Sequence, residues 1–139
     1  MKFKLFLLII FLSTVFSSAH VLAEVGNLSN EQMKQLMAEN VPLIDIRRPE
    51  EWKSTGVIGG SKLITFFDSR GNFNLEKWLA ELDKVAGKND KLILICRSGN
   101  RTGQVAQYLD KKLGYKQVYH LKNGIKKWIK ADEKVVSAK

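Results

Sequence analysis

The chain has 139 residues, 45% of them apolar and 27% charged, with a formal net charge of +9. Its one cysteine excludes an intramolecular disulfide framework. No internal repeat, linker or low-complexity tract divides it, so the sequence reads as one domain with one core.

Residues 1–23 open with Lys2 and Lys4 and continue in an almost unbroken apolar run from Leu5 to Phe16. The run is short of the ~20 residues that a membrane helix needs, and its basic flank is that of a secretory signal peptide. Val21 and Ala23 best fit the spacing that signal peptidase reads, with Ser17 and Ala19 as the alternative, so cleavage is expected after Ala23. No cysteine near that point could carry a lipid anchor, and no later stretch is long and apolar enough to insert in a membrane. The expectation is an exported, soluble protein, in a periplasm, with a single domain over residues 24–139; an uncleaved N-terminal anchor is the alternative. Cleavage leaves 116 residues and a net charge of +7, with lysines crowded between residues 111 and 130. Exported proteins rarely meet nucleic acid, so that stretch reads as a solvated face, or as a field drawing in small anions, and no nucleic-acid partner is expected.

Further along, Ser29 and Gln32 stand in capping-box spacing before Met33, Leu36 and Met37, which share one helical face. A brief apolar strand is expected over Leu43 to Ile46, stopped by Arg47, Arg48 and Pro49. The segment "GVIGGSKLITFF" predicts a loop and a second strand. Leu75, Trp78, Leu79, Leu82, Val85 and Ala86 recur at helical spacing as a core stripe, with Gly87 as the expected C-terminal cap. "KLILIC" is an unbroken aliphatic run suited to a strand buried on both faces. A helix starting near Thr102 places Val105, Leu109 and Leu113 four apart and stops at Gly114; "YKQVYHL" follows as a strand, and "NGIKKWIKA" as a last helix with Ile125, Trp128 and Ile129 inward. This alternation is that of a doubly wound α/β domain, in which sites gather at the carboxyl ends of the strands.

Cys96 stands at such an end, with "RSGNR" between it and the next helix. In so tight a turn successive backbone N–H groups can converge, and the helix start adds partial positive charge, so the loop is an anion cradle. A thiolate is itself an anion. The amides, with Arg97 and Arg101, are expected to draw the thiol below its unperturbed ~8.5 in a partly exposed site, making Cys96 a nucleophile. Gly99 permits a positive φ or a close approach, and Ser98 and Asn100 are expected to brace the turn. The alternative is a buried, inert cysteine followed by an ordinary polar turn.

"CRSGNRT" resembles the active-site loop of single-domain rhodaneses, "LIDIRRPEEW" resembles their "D-V-R-x-P-x-E-[YF]" motif, and "GYKQVYHLKNGIKKW" is similar to their closing segment. Together these cover most of residues 29–130, and the nearest likeness is to exported rhodaneses of the phage shock protein E type. The resemblance implies a mostly parallel, five-stranded sheet flanked by helices, with no cofactor. It also implies a two-step reaction. The Cys96 thiolate takes the outer sulfur of thiosulfate or a related donor as a persulfide, and an acceptor such as cyanide or a thiol removes it. Arg97, Ser98, Gly99, Asn100 and Arg101 would hold donor and persulfide. Asp45 and Arg47 match charged positions of the first motif and would support the loop, Asp45 by reaching one of its arginines, with Thr102 a further supporting residue; the alternative is that Arg47 and Arg48 touch the donor. A monomer is expected. Two departures are visible: the family's "G-H-I-P-G-A" reads "GVIGGS" from Gly56 to Ser61, and its paired glycines read Asn123 and Gly124.

Cysteine phosphatases are the nearest enzyme rival, but their signature resembles Cys, five residues, then Arg, whereas four residues separate Cys96 from Arg101. A non-enzymatic persulfide carrier needs the same thiolate. His120 ends its strand, and a cysteine–histidine dyad is one reading of it; an ordinary strand-end histidine is preferred, since a thiolate held by amides and arginines needs no base. No His or Cys cluster suggests a metal site.

Overall fold

The most apolar segment of the chain lies at the middle of the sheet. In the computed structural model, which describes residues 25–139, the elements in order are β1 (Gly26–Leu28), α1 (Asn30–Ala38), β2 (Leu43–Asp45), α2 (Pro49–Thr55), β3 (Lys62–Leu63), α3 (Leu75–Leu82), β4 (Lys91–Ile95), α4 (Asn100–Leu113), β5 (Gln117–Leu121) and α5 (Gly124–Lys130). The expected signal segment and its cleavage point lie outside the described residues. The five strands pair in the order β1-β5-β4-β2-β3, and every pairing is parallel. No helix among the described residues is long and apolar enough to cross a membrane.

Strand periodicity assigns the two faces. Leu92, Leu94 and Cys96 point into a core with Ile44, Trp78, Leu82, Val105, Ala106 and Leu109, beneath α3 and α4. Ile93 and Ile95 point to the other side, where Met33, Ile125 and Trp128 of α1 and α5 close a second core. Covered on both faces, β4 has no polar side, which explains its unbroken aliphatic run.

Helix starts follow their caps. Ser29 and Gln32 form the reciprocal capping box at α1. Pro49, expected only to stop the preceding strand, also opens α2 as its first residue, where a missing N–H costs nothing, with Glu50 and Glu51 in the positive first turn.

Other expectations are corrected. Helix α3 ends at Leu82, not at Gly87: Val85 and Ala86 both donate back to the Leu82 carbonyl as the chain turns, and the Gly87 N–H donates to Asp90 instead. Ile129 is exposed, because one turn of α5 presents only Ile125 and Trp128 to the sheet. Strand β1 carries too few residues for a periodic signal, yet pairs with β5 over Gly26–Leu28. At the other end Val136 pairs with Val57, so the packed body extends beyond residues 29–130 on both sides.

Candidate active site

The turn after β4 is built from backbone. Cys96 ends the strand run, and its carbonyl and that of Arg97 accept from the Ile125 and Lys126 N–H groups at the start of α5. Gly99, at φ +93°, caps α4 in the left-handed region, and a side chain there would overlap the Lys122 carbonyl oxygen. Gly124, at φ +64°, meets the Arg97 carbonyl in the same way. Asn123, standing where the family's other glycine would be, has φ −106° and needs no glycine.

Cys96 Sγ accepts from the Gly99 N–H at 3.1 Å and lies 3.4 Å from Thr102 Oγ1. The residue is fully buried, where a partly exposed thiol was expected. The difference arises because the turn folds back over the sulfur to reach Gly99, leaving Arg97, Ser98 and Asn100 exposed at the rim. The turn is held by Gly99, Thr102 and the α5 amides, while Ser98 and Asn100 face outward, away from the bracing role expected of them.

The two loop arginines differ. Arg97 is exposed, whereas Arg101 makes a two-pronged pair with Glu51 of α2, at 2.6 and 2.9 Å. That hydrogen bonding lowers the Glu51 carboxyl to about 2 and raises Arg101 further. Glu51 therefore joins α2 to the start of the cysteine helix, a partner the sequence reading passed over. Its signal was there: an acid in the first turn of a proline-started helix, two residues after Pro49.

Asp45 makes no hydrogen bond to a loop arginine, although its charge acts on Arg101 at longer range. Alternation along β2 turns it to the face opposite Cys96, and its carboxylate instead accepts from Arg47 at 2.7 to 3.1 Å. Arg47 also donates to Thr55 Oγ1 and the Gly56 carbonyl, so this buried guanidinium spends four of its five N–H groups on protein partners. Arg48 pairs with Glu50.

Thr102, on the first turn of α4, is completely buried and touches both the sulfur and His120. His120 shares the α4 face of β5 with Val118, so the histidine expected to be an ordinary strand-end residue aims its ring at the cysteine's own neighbour. Among the described residues no group of three or more His, Cys, Asp or Glu side chains could hold a metal ion.

Comparison with known proteins gives the family and the fold. The family model described as Rhodanese-like domain matches residues 29–131. Thiosulfate sulfurtransferase GlpE of Pseudomonas aeruginosa is 30% identical over 98 residues, which cover 70% of this chain and 78% of that protein. A rhodanese-related protein from Thermoplasma volcanium shares the fold with a TM-score of 0.59 at 24% identity, over 81% of this chain and 99% of its own. The polysulfide-sulfur transferase homodimer of Wolinella succinogenes shares it with a TM-score of 0.63 at 22% identity, over 84% and 82%.

Proposed function

The chain belongs to the rhodanese-like domain family, and on that premise we propose that it is a sulfurtransferase working through a persulfide on Cys96. The observation that carries the reading is the one thiol of the chain, held under the turn at the carboxyl end of β4 with the Gly99 N–H on its sulfur. The likeness to a protein named for thiosulfate supports that donor class.

In the first step the Cys96 sulfur attacks the outer sulfur of thiosulfate. The donor's S–S bond breaks, its electron pair leaves on sulfite, and the added sulfur remains on the enzyme. A nucleophilic acceptor, cyanide or a thiol, then attacks that outer sulfur and frees Cys96. Cys96 is buried while Arg97, Ser98 and Asn100 of the same turn are exposed, so the turn carries the surface nearest to it in the chain. The exposed Arg97, beside Cys96 in the chain, supplies positive charge for an anionic donor.

The phosphatase reading loses support on two counts: the Cys-to-Arg interval is one residue short, and the Arg101 guanidinium is spent on Glu51 instead of facing an oxyanion. The lysine and apolar pattern of residues 1–23 supports an exported, periplasmic protein cleaved after Ala23, and we propose a monomer. Mass spectrometry of exported protein tests the cleavage, with Glu24 expected first.

Intact mass before thiosulfate, after it and after cyanide tests the chemistry. Reduced wild type is expected to gain the mass of one sulfur atom and to lose it to cyanide as thiocyanate. An equal gain on Cys96→Ser, or none on the wild type, would overturn the reading. Repeated turnover with thiosulfate and cyanide separates an enzyme from a persulfide carrier, which would load once and turn over slowly.

A further inference from the structure

Behind the sulfur runs a chain of polar contacts that is buried from Cys96 to His120 and reaches the surface at Asn27. Cys96 Sγ lies 3.4 Å from Thr102 Oγ1, which lies 2.9 Å from His120 Nδ1, and His120 Nε2 lies 2.6 Å from Asn27 Oδ1. An amide oxygen only accepts, so Nε2 carries the imidazole proton and Nδ1 presents its lone pair to the Thr102 hydroxyl. With its proton directed to Nδ1, Thr102 turns a lone pair toward the thiol. The Gly99 carbonyl, at 3.2 Å, is the longer alternative acceptor for the same hydroxyl.

We propose that Thr102 and His120 form a proton relay for Cys96, with His120 as a positioning residue that takes up the thiol proton through Thr102 and Asn27 setting its tautomer. The relay rests on the sulfurtransferase reading for its donor but not for its acid-base chemistry. As the thiol proton passes to Thr102 Oγ1, the Thr102 proton passes to His120 Nδ1. The sulfur then attacks thiosulfate, whose S–S bond breaks with its electron pair on sulfite. The products are the Cys96 persulfide anion, sulfite and a His120 imidazolium, so protons and charge balance without an oxidant or reductant. When the acceptor removes the sulfur, the proton returns by the same route.

The surroundings suit a proton held briefly. Asn27 on β1, Leu94 on β4, and Thr102 and Gly103 on α4 face or flank the ring, and none is charged. Cys96, one hydroxyl away, is the ionisable group in this chain of contacts. Burial pushes His120 below the ordinary imidazole value, so the ring rests neutral and gives back readily a proton it takes up.

The test follows Cys96 alkylation by iodoacetamide, which needs no sulfur donor, and sulfur gain from thiosulfate, both by intact mass across pH. In His120→Gln and Thr102→Val, both rates are expected to fall roughly tenfold or more at about pH 6 and to return to within about threefold of wild type at about pH 9.5, above the ~8.5 of an ordinary thiol. Thr102→Ser, which keeps the hydroxyl, is expected to follow the wild-type profile. Profiles that stay parallel to wild type at every pH would overturn the relay, because a merely structural defect lowers the rate uniformly. A shifted alkylation profile with no sulfur gain on the wild type would keep the relay and remove the thiosulfate reading. Sulfur gain with parallel profiles would do the reverse. If His120→Gln does not fold, the Thr102→Val and Thr102→Ser pair decides alone.

Discussion

The carboxyl ends of β2 and β4 lie side by side, with Asp45 opposite Ile95, and each buries a polar group just beyond. At β2 the group is the Arg47 guanidinium, which donates to both Asp45 carboxylate oxygens, the Thr55 hydroxyl and the Gly56 carbonyl. At β4 it is the Cys96 sulfur, which meets one N–H and one hydroxyl. A buried charge so committed to protein partners serves the fold. A sulfur with two weak partners gives them up at little cost and is free to react.

The sharpest way to break this contrast is to unpair the β2 end. Asp45→Ala leaves the buried Arg47 without its carboxylate and is expected to cost about 3–5 kcal/mol in urea unfolding, while the fraction still folded keeps its thiosulfate KM. A stable variant with an altered KM would place Asp45 in the site. Gly99→Ala attacks the β4 end: it forces a side chain at φ +93° into the Lys122 carbonyl. It is expected to cost about 1–3 kcal/mol and to lower sulfur transfer further than stability explains, because the N–H on the sulfur is displaced.

Glu51→Gln probes the strut between the two ends. The Glu51 carboxyl sits at about 2 in the fold, below its ordinary 4.5, so its stabilisation is complete above about 4.5 and is lost as pH falls toward 2. The substitution is expected to remove about 1–3 kcal/mol at neutral pH and to flatten the loss of stability in that acid window. An unchanged acid limb in thermal melts would show that the pair contributes nothing. The smallest effect belongs to the rim. Arg97→Ala is expected to leave the melting temperature alone and to raise the thiosulfate KM by about threefold, with a weaker dependence on added salt, since exposed charges act through a screened field. Identical kinetics at low and high salt would take Arg97 out of donor capture.

Local patterns in the chain were enough for most of this architecture. The aliphatic run of β4, the Ser29 capping box, the glycine stop at Gly114 and the placement of Cys96 after a parallel strand each depend on neighbours a few residues away, so the sequence alone determined them. What depended on distant partners was not readable. Strand β1 exists only because β5, some ninety residues on, is there to pair with it. The same holds at the site. Asp45 and Arg101 were legible as charges, but which partner each took was decided by the face β2 turns and by where α2 packs. His120, separated from Thr102 by 18 residues and from Asn27 by 93, became a neighbour of the thiol only when β1, β5 and α4 closed around one face of the sheet. Spacing along the chain carries backbone conformation; the contacts of a buried polar side chain are set by the fold as a whole, because only there does each donor find its acceptor.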